Sequence, residues 1–152
     1  MLEGLTNAYI EKNGLKLIKN FLGCYPADIN LKTKKKNFSV IFNLSNHNET
    51  GTHFVAISCN KDVITYFDSF GNPCTNKHLK LFLKKNCKDK KLIYNKTKVQ
   101  SDKSTFCGIF CLGFLLSQQN NITLNNFLKI FHPTNLPVND QIILEFFKKI
   151  KH

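Results

Sequence analysis

Short apolar runs rich in β-branched and aromatic residues punctuate the first two thirds of this chain. Phe54 to Ser58 and Val63 to Phe67 flank Cys59-Asn60-Lys61-Asp62, a pattern that predicts a β-hairpin. Phe38-Ser39-Val40-Ile41-Phe42-Asn43 and Leu92 to Tyr94 predict two more strands. Helical spacing takes over elsewhere. Leu15, Ile18 and Leu22 suggest a partly helical stretch over 2–22, weakened by Gly4 and Gly14, and Phe21 to Pro26 reads as a turn out of it. Asn76 can cap a helix over His78 to Lys85 with Leu79, Phe82 and Leu83 on one face. Thr105 to Gln118 is almost wholly apolar and predicts a central helix covered on most sides. Thr123 caps a helix carrying Leu124, Phe127, Leu128 and Phe131 and stopped by Pro133, and Val138 to Ile150 buries Ile142, Ile143, Phe146, Phe147 and Ile150. Lys32 to Lys36 and Asn46 to Gly51 read as loops. Neighbouring strands with helices clustered around them predict an α+β fold.

Composition narrows the class. The 152 residues predict a single domain over 1–152, and 42% hydrophobic content predicts a globular chain. No apolar run is long enough for a membrane span, and the opening MLEGLTNAYIEKNG lacks a signal-peptide pattern, so a soluble protein of a reducing compartment is expected. The six cysteines, at 24, 59, 74, 87, 107 and 111, form no Cys-x-x-Cys pair, and neither a zinc site nor a disulfide framework is expected. Nothing in the chain signals oligomerisation.

The formal charge of +12 comes with lysine and no arginine. Two readings stand side by side. One is a coding bias toward Lys, Asn and Ile. The other is a diffuse, sequence-blind attraction to nucleic acid phosphate, with Lys84, Lys85, Lys88, Lys90 and Lys91 as its densest cluster.

The candidate chemistry centres on Cys107. It opens the apolar helix, where orphan N–H groups and partial positive charge favour a thiolate. If Ser58 pairs with Val63 in the hairpin, His53 and Asp68 stand directly opposite at its open end, their Cβ atoms about 5 Å apart. A carboxylate so placed fixes the imidazole tautomer and leaves the other ring nitrogen for a thiol proton. Gln100 carries an amide able to donate to a developing oxyanion, with the Cys107 N–H as second donor. Gly108 would leave the helix start bare for an approaching carbonyl. Singly, each residue has a bland explanation; Cys111, one turn beyond Cys107, reads as a small core hydrophobe. The order His, Asp, Gln, Cys is what makes the set specific.

These residues resemble the adenain-like, adenovirus-type cysteine endopeptidases. Phe21-Leu22-Gly23 with Tyr25, Ile41-Phe42-Asn43, Glu49-Thr50-Gly51, His53-Phe54, Tyr66-Phe67-Asp68-Ser69-Phe70-Gly71 and the Gln100 to Cys111 segment carry the likeness, with Phe54 where that family usually has Trp. The resemblance implies a mostly antiparallel central sheet flanked by helices, and a papain-like site with permuted chain order. It implies that His53, Asp68, Gln100 and Cys107 are catalytic, and that the substrates are viral precursor polypeptides cut beside glycine. It also implies stimulation by DNA, activation by a short viral peptide, and a virion and host-nuclear location. That peptide can form a disulfide in the family, for which Cys87 is the nearest candidate here. No metal or small-molecule cofactor is implied. Two alternatives remain open: a protease for ubiquitin-like proteins, which shares the His–Asp–Gln–Cys order, and a non-enzymatic basic nucleic-acid-binding protein whose cysteines are core residues.

Overall fold

A computed structural model describes residues 6–44 and 53–150. The predicted Asn46–Gly51 loop and the Glu49-Thr50-Gly51 motif lie outside those residues. Five strands, β1 (Phe21–Pro26), β2 (Phe38–Asn43), β3 (Phe54–Cys59), β4 (Val63–Phe67) and β5 (Lys91–Tyr94), form one sheet in chain order. The helices are α1 (Asn7–Leu17), α2 (Lys77–Asn86), α3 (Cys107–Gln119), α4 (Leu124–Leu128) and α5 (Asn139–Ile150). The fold is α+β as expected. The sheet itself is mixed: β2–β3–β4 is antiparallel, and the outer pairings β1–β2 and β4–β5 are parallel. A parallel neighbour needs a crossover, supplied by residues 27–37 on one side and by α2 on the other.

Both sheet faces are covered, so the strands read as near-continuous apolar runs. On one face Ile41, Phe54, Ala56 and Phe67 pack with α1, α3, α4 and α5; on the other Val40, Val55, Ile57, Ile64 and Tyr66 pack with Leu79 and Phe82 of α2. Residues 107–117 of α3 are all buried, as their unbroken apolarity predicts. Phe114 stacks on Phe67 at 4.8 Å, and Phe127 of α4 meets both rings edge-on.

Three expectations are corrected. Phe21 to Pro26 is a strand. Its register shifts between Phe21 and Cys24, where Gly23 sits at φ +137°, and that irregularity disguises the strand as a turn. The first helix ends at Leu17 and buries Ile10 and Gly14, while Leu15 is 58% exposed. Gly14 serves close packing there: a Cβ on it would lie 2.3 Å from the Phe21 ring. Finally, the β3–β4 register is offset by two residues from the predicted one. Cys59 pairs with Ile64 and Ala56 with Phe67. The turn falls at Lys61-Asp62, because the Asn60 side chain accepts from the N–H groups of Asp62 (3.3 Å) and Val63 (3.0 Å), and the Asn60 N–H donates to the Val63 carbonyl at 2.9 Å.

Candidate active site

A register offset of two preserves the face each residue occupies, whereas an offset of one would invert it. His53, just before β3, and Asp68, just after β4, therefore still share a face, but they meet diagonally. His53 Nε2 and Asp68 Oδ1 are 2.8 Å apart. Phe70 lies in the turn that follows Asp68, and its ring stacks on the imidazole with centroids 4.7 Å apart and planes 27° apart. Lys98 Nζ lies over the same Phe70 ring at 5.5 Å. The imidazole is thus held by a carboxylate at one edge and an aromatic plate on one side.

Asp68 is nearly fully buried, and its Oδ1 also accepts the Phe70 N–H at 2.8 Å. Asn95, buried beyond β5, fixes the Asp68 backbone. The segment after Asp68 docks on the one approaching Cys107. The Ser69 carbonyl accepts the N–H groups of Val99 (2.9 Å) and Gln100 (3.1 Å), and the Ser69 hydroxyl donates to Gln100 Oε1. Gly71, at φ +77°, allows this approach, since a Cβ there would stand 3.0 Å from the Lys96 carbonyl.

Cys107 is the first residue of α3, and no side chain caps that helix end. Cys107 is 3% exposed, whereas the His53 side chain is 24% exposed. Burial by itself would push the His53 imidazole down. The Asp68 carboxylate and the adjacent Cys107 sulfur outweigh it and hold the imidazole up at about 9. His53 Nδ1 is buried with no hydrogen-bond partner among the described residues. The ring is therefore braced at Nε2 and placed beside the Cys107 thiol.

Gln100 is fully buried and close-braced. Its Nε2 contacts two acceptors on Ser104, the carbonyl at 3.0 Å and the hydroxyl oxygen at 3.1 Å. Ser104 also accepts the Phe106 N–H at 3.1 Å and donates to Asp140 Oδ1 at 2.7 Å. Asn139, beside Asp140 at the start of α5, donates to the Val99 carbonyl at 2.8 Å. The first turn of α5 thus grips the 99–104 segment at both ends. Ser69, Phe70, Asn95, Ser104, Asn139 and Asp140 support the site; Ser69, Phe70 and Ser104 fall within the motifs that carry the resemblance, whereas the sequence assigns nothing to Asn95, Asn139 or Asp140. Polar residues in loops look alike until tertiary contacts select them. Gly108 has a different role from the expected one: Ile10 fills the space beside it, with Cδ1 2.4 Å from where a Cβ would be, so packing with α1 demands the glycine.

Cys87 is not brought to this site. It is the buried C-cap of α2, on the opposite face of the sheet from Cys107, with Cys59 as its neighbour. All six cysteines are free thiols. Among the described residues no group of three or more His, Cys, Asp or Glu side chains could hold a metal, and no helix is long and apolar enough to cross a membrane.

No family model and no curated protein sequence matches the chain. Its fold is similar to that of the ASFV pS273R protease, with a TM-score of 0.51 and 21% identity, over 77% of this chain. The chain spans 43% of that protease. It is also similar to the central domain of the uncharacterized Lpg1148 protein from Legionella pneumophila, with a TM-score of 0.50 and 9% identity, over 86% of this chain and 85% of that one. The five-stranded sheet with its flanking helices is therefore an architecture found in a viral protease.

Proposed function

We propose that this chain is a viral cysteine endopeptidase in which Cys107 is the nucleophile, His53 the proton carrier, Asp68 its orienting carboxylate and Gln100 an oxyanion donor. The observation that carries the reading is the imidazole itself, held by Asp68 at Nε2 and raised in proton affinity by Asp68 and the Cys107 sulfur. In the first half-reaction the thiolate attacks a peptide carbonyl and the imidazolium protonates the departing amine. In the second, a water molecule that yields its proton to the imidazole releases the acyl group. The Cys107 N–H, at an uncapped helix start, faces the developing oxyanion as one donor. Gln100 supplies the second when Ser104 gives up its claim on the amide.

The substrates we assign are viral precursor polypeptides cut beside glycine, on the strength of the sequence resemblance. A DNA partner fits the basic cleft of about 540 Å³ lined by Lys32, Lys34 and Lys85. A log–log salt titration of DNA binding that is flat would remove that partner.

The direct test is labelling with a thiol-reactive peptide electrophile, read by mass spectrometry. Label centred on Cys107 and lost in His53→Ala supports the protease. Uniform slow labelling of several cysteines favours the nucleic-acid-binding alternative. Preference for a folded ubiquitin-like precursor over a glycine-containing viral-type peptide would transfer the chain to the ubiquitin-like protease class.

A further inference from the structure

A second thiol centre lies on the α2 face of the sheet, apart from the candidate catalytic cysteine. Cys59 ends β3, and Cys87 caps α2. The two thiols are neighbours in one buried cluster, and Cys59 Sγ also faces the Lys36 carbonyl at 3.7 Å and the Asn60 carbonyl at 3.8 Å. Lys90 closes the cluster. Its ammonium has three N–H donors and three acceptors: the Lys36 carbonyl at 2.7 Å, the Asn60 carbonyl at 2.8 Å and Cys59 Sγ at 3.2 Å. Two of those partners are neutral carbonyls. The sulfur is therefore the group here that can supply the ammonium with a counter-charge.

We infer that Cys59 and Cys87 form a peroxide-sensitive pair, in which Cys59 is the attacking thiolate and Cys87 the resolving thiol, yielding a reversible Cys59–Cys87 disulfide. Contact with the Cys87 thiol and with Lys90 holds the Cys59 thiol below its ordinary range, and Cys87 is displaced upward by the same contact. Lys90 Nζ stands 3.2 Å from Cys59 Sγ, and that placement of the cation assigns Cys59 the attacking role and leaves Cys87 the resolving one. Access fits a small oxidant: Cys59 is 3% exposed, but it borders a surface groove of about 290 Å³ with Phe38, Ser58 and Asn60.

The step balances with hydrogen peroxide as oxidant. The Cys59 thiolate attacks one peroxide oxygen and the O–O bond breaks. Cys59 becomes a sulfenic acid, and the departing hydroxide takes a proton to become water. Cys87 sulfur then attacks the Cys59 sulfur, the S–O bond breaks, and the hydroxyl leaves as a second water with the Cys87 proton. Two thiols lose two electrons, and one peroxide is reduced to two waters. The product ties the end of β3 to the end of α2.

The test treats the full chain with a small molar excess of hydrogen peroxide and maps its peptides without reduction. The expected result is a Cys59–Cys87 linked pair, 2 Da lighter than the two thiols and restored by dithiothreitol. Formation should slow on the order of tenfold in Lys90→Met, as the thiolate loses its cation. In Cys87→Ser, oxidation should stop at a Cys59 sulfenic acid trapped by dimedone. Recovery of both thiols unmodified, oxidation confined to Cys107, or a link from Cys59 to Lys90 would each overturn the pair. None of these readouts requires proteolytic activity.

Discussion

Asn95 grips Asp68 by its backbone and leaves its carboxylate for His53. The Asn95 side-chain oxygen accepts the Asp68 N–H at 3.0 Å, and its amide nitrogen donates to the Asp68 carbonyl. Both residues are nearly fully buried. One side chain thus fixes the direction in which Asp68 leaves β4, and with it the position of the carboxylate that holds the imidazole.

Asn95→Ala should cost about 1–3 kcal/mol, because it strands a buried N–H and a buried carbonyl. It should also slow Cys107 alkylation through a misplaced Asp68. Thermal denaturation and iodoacetamide kinetics read the two effects. Normal alkylation in a destabilised variant would confine Asn95 to a structural role.

The raised His53 value makes stability depend on pH. A folded-state value of about 9 against about 6.5 for an unperturbed histidine means that the folded protein binds the proton more tightly. The stabilisation is complete below about pH 6.5 and is lost as pH rises through about 9. It is on the order of 3 kcal/mol, and Asp68→Asn should flatten this part of the profile. Urea unfolding at pH 6, 7.5 and 9.5 measures it. Equal slopes in both proteins would show that Asp68 is not the cause. If the chain cleaves peptides, turnover should fall along the same alkaline limb, since the imidazolium is the acid that expels the amine.

Gly108 and Ile10 should behave as a coupled pair. Gly108→Ala drives a methyl into Ile10 Cδ1 and should cost about 1–3 kcal/mol. Ile10→Val removes that methyl and should recover part of the loss in the double variant. Additive losses would mean that the collision is relieved in another way.

Gln100→Ala should lower peptide turnover ~10²–10³-fold while leaving reaction with a small alkylating agent nearly intact, as for loss of one oxyanion donor. Since Gln100 also braces Ser69 to Ser104, the variant should melt at a lower temperature. A melting shift with unchanged turnover would remove Gln100 from the chemistry.

Much of the fold was legible because its elements carry strong local signals. Asn76 and Thr123 cap α2 and α4 through their own side chains, and the apolar run from Cys107 marks the central helix. The strand β1 was illegible because Gly23 and Pro26 punctuate it. The hairpin was legible as a pair of strands but not in register, since a single Asx interaction at Asn60 decides where the chain reverses. The His53–Asp68 meeting survived that error because displacement by two residues conserves the pleat. In the sequence Cys87 reads as the nearest candidate for a peptide disulfide and Lys90 as one of a basic cluster, and nothing joins either to Cys59, since only tertiary structure brings residues so far apart in the chain into contact.

The strand order that simply follows the chain has a consequence for assembly. Every strand docks on the one before it in the chain, so the sheet can grow outward from the tight β3–β4 reversal, with the parallel outer strands joining through their longer crossovers. The His53–Asp68 pair belongs to that inner part of the sheet. The sulfur arrives with α3, which must traverse the finished sheet and be enclosed by the C-terminal helices. A nascent chain would therefore hold the imidazole–carboxylate pair before the sulfur, and the proposed site would stay incomplete until the last third of the polypeptide had settled.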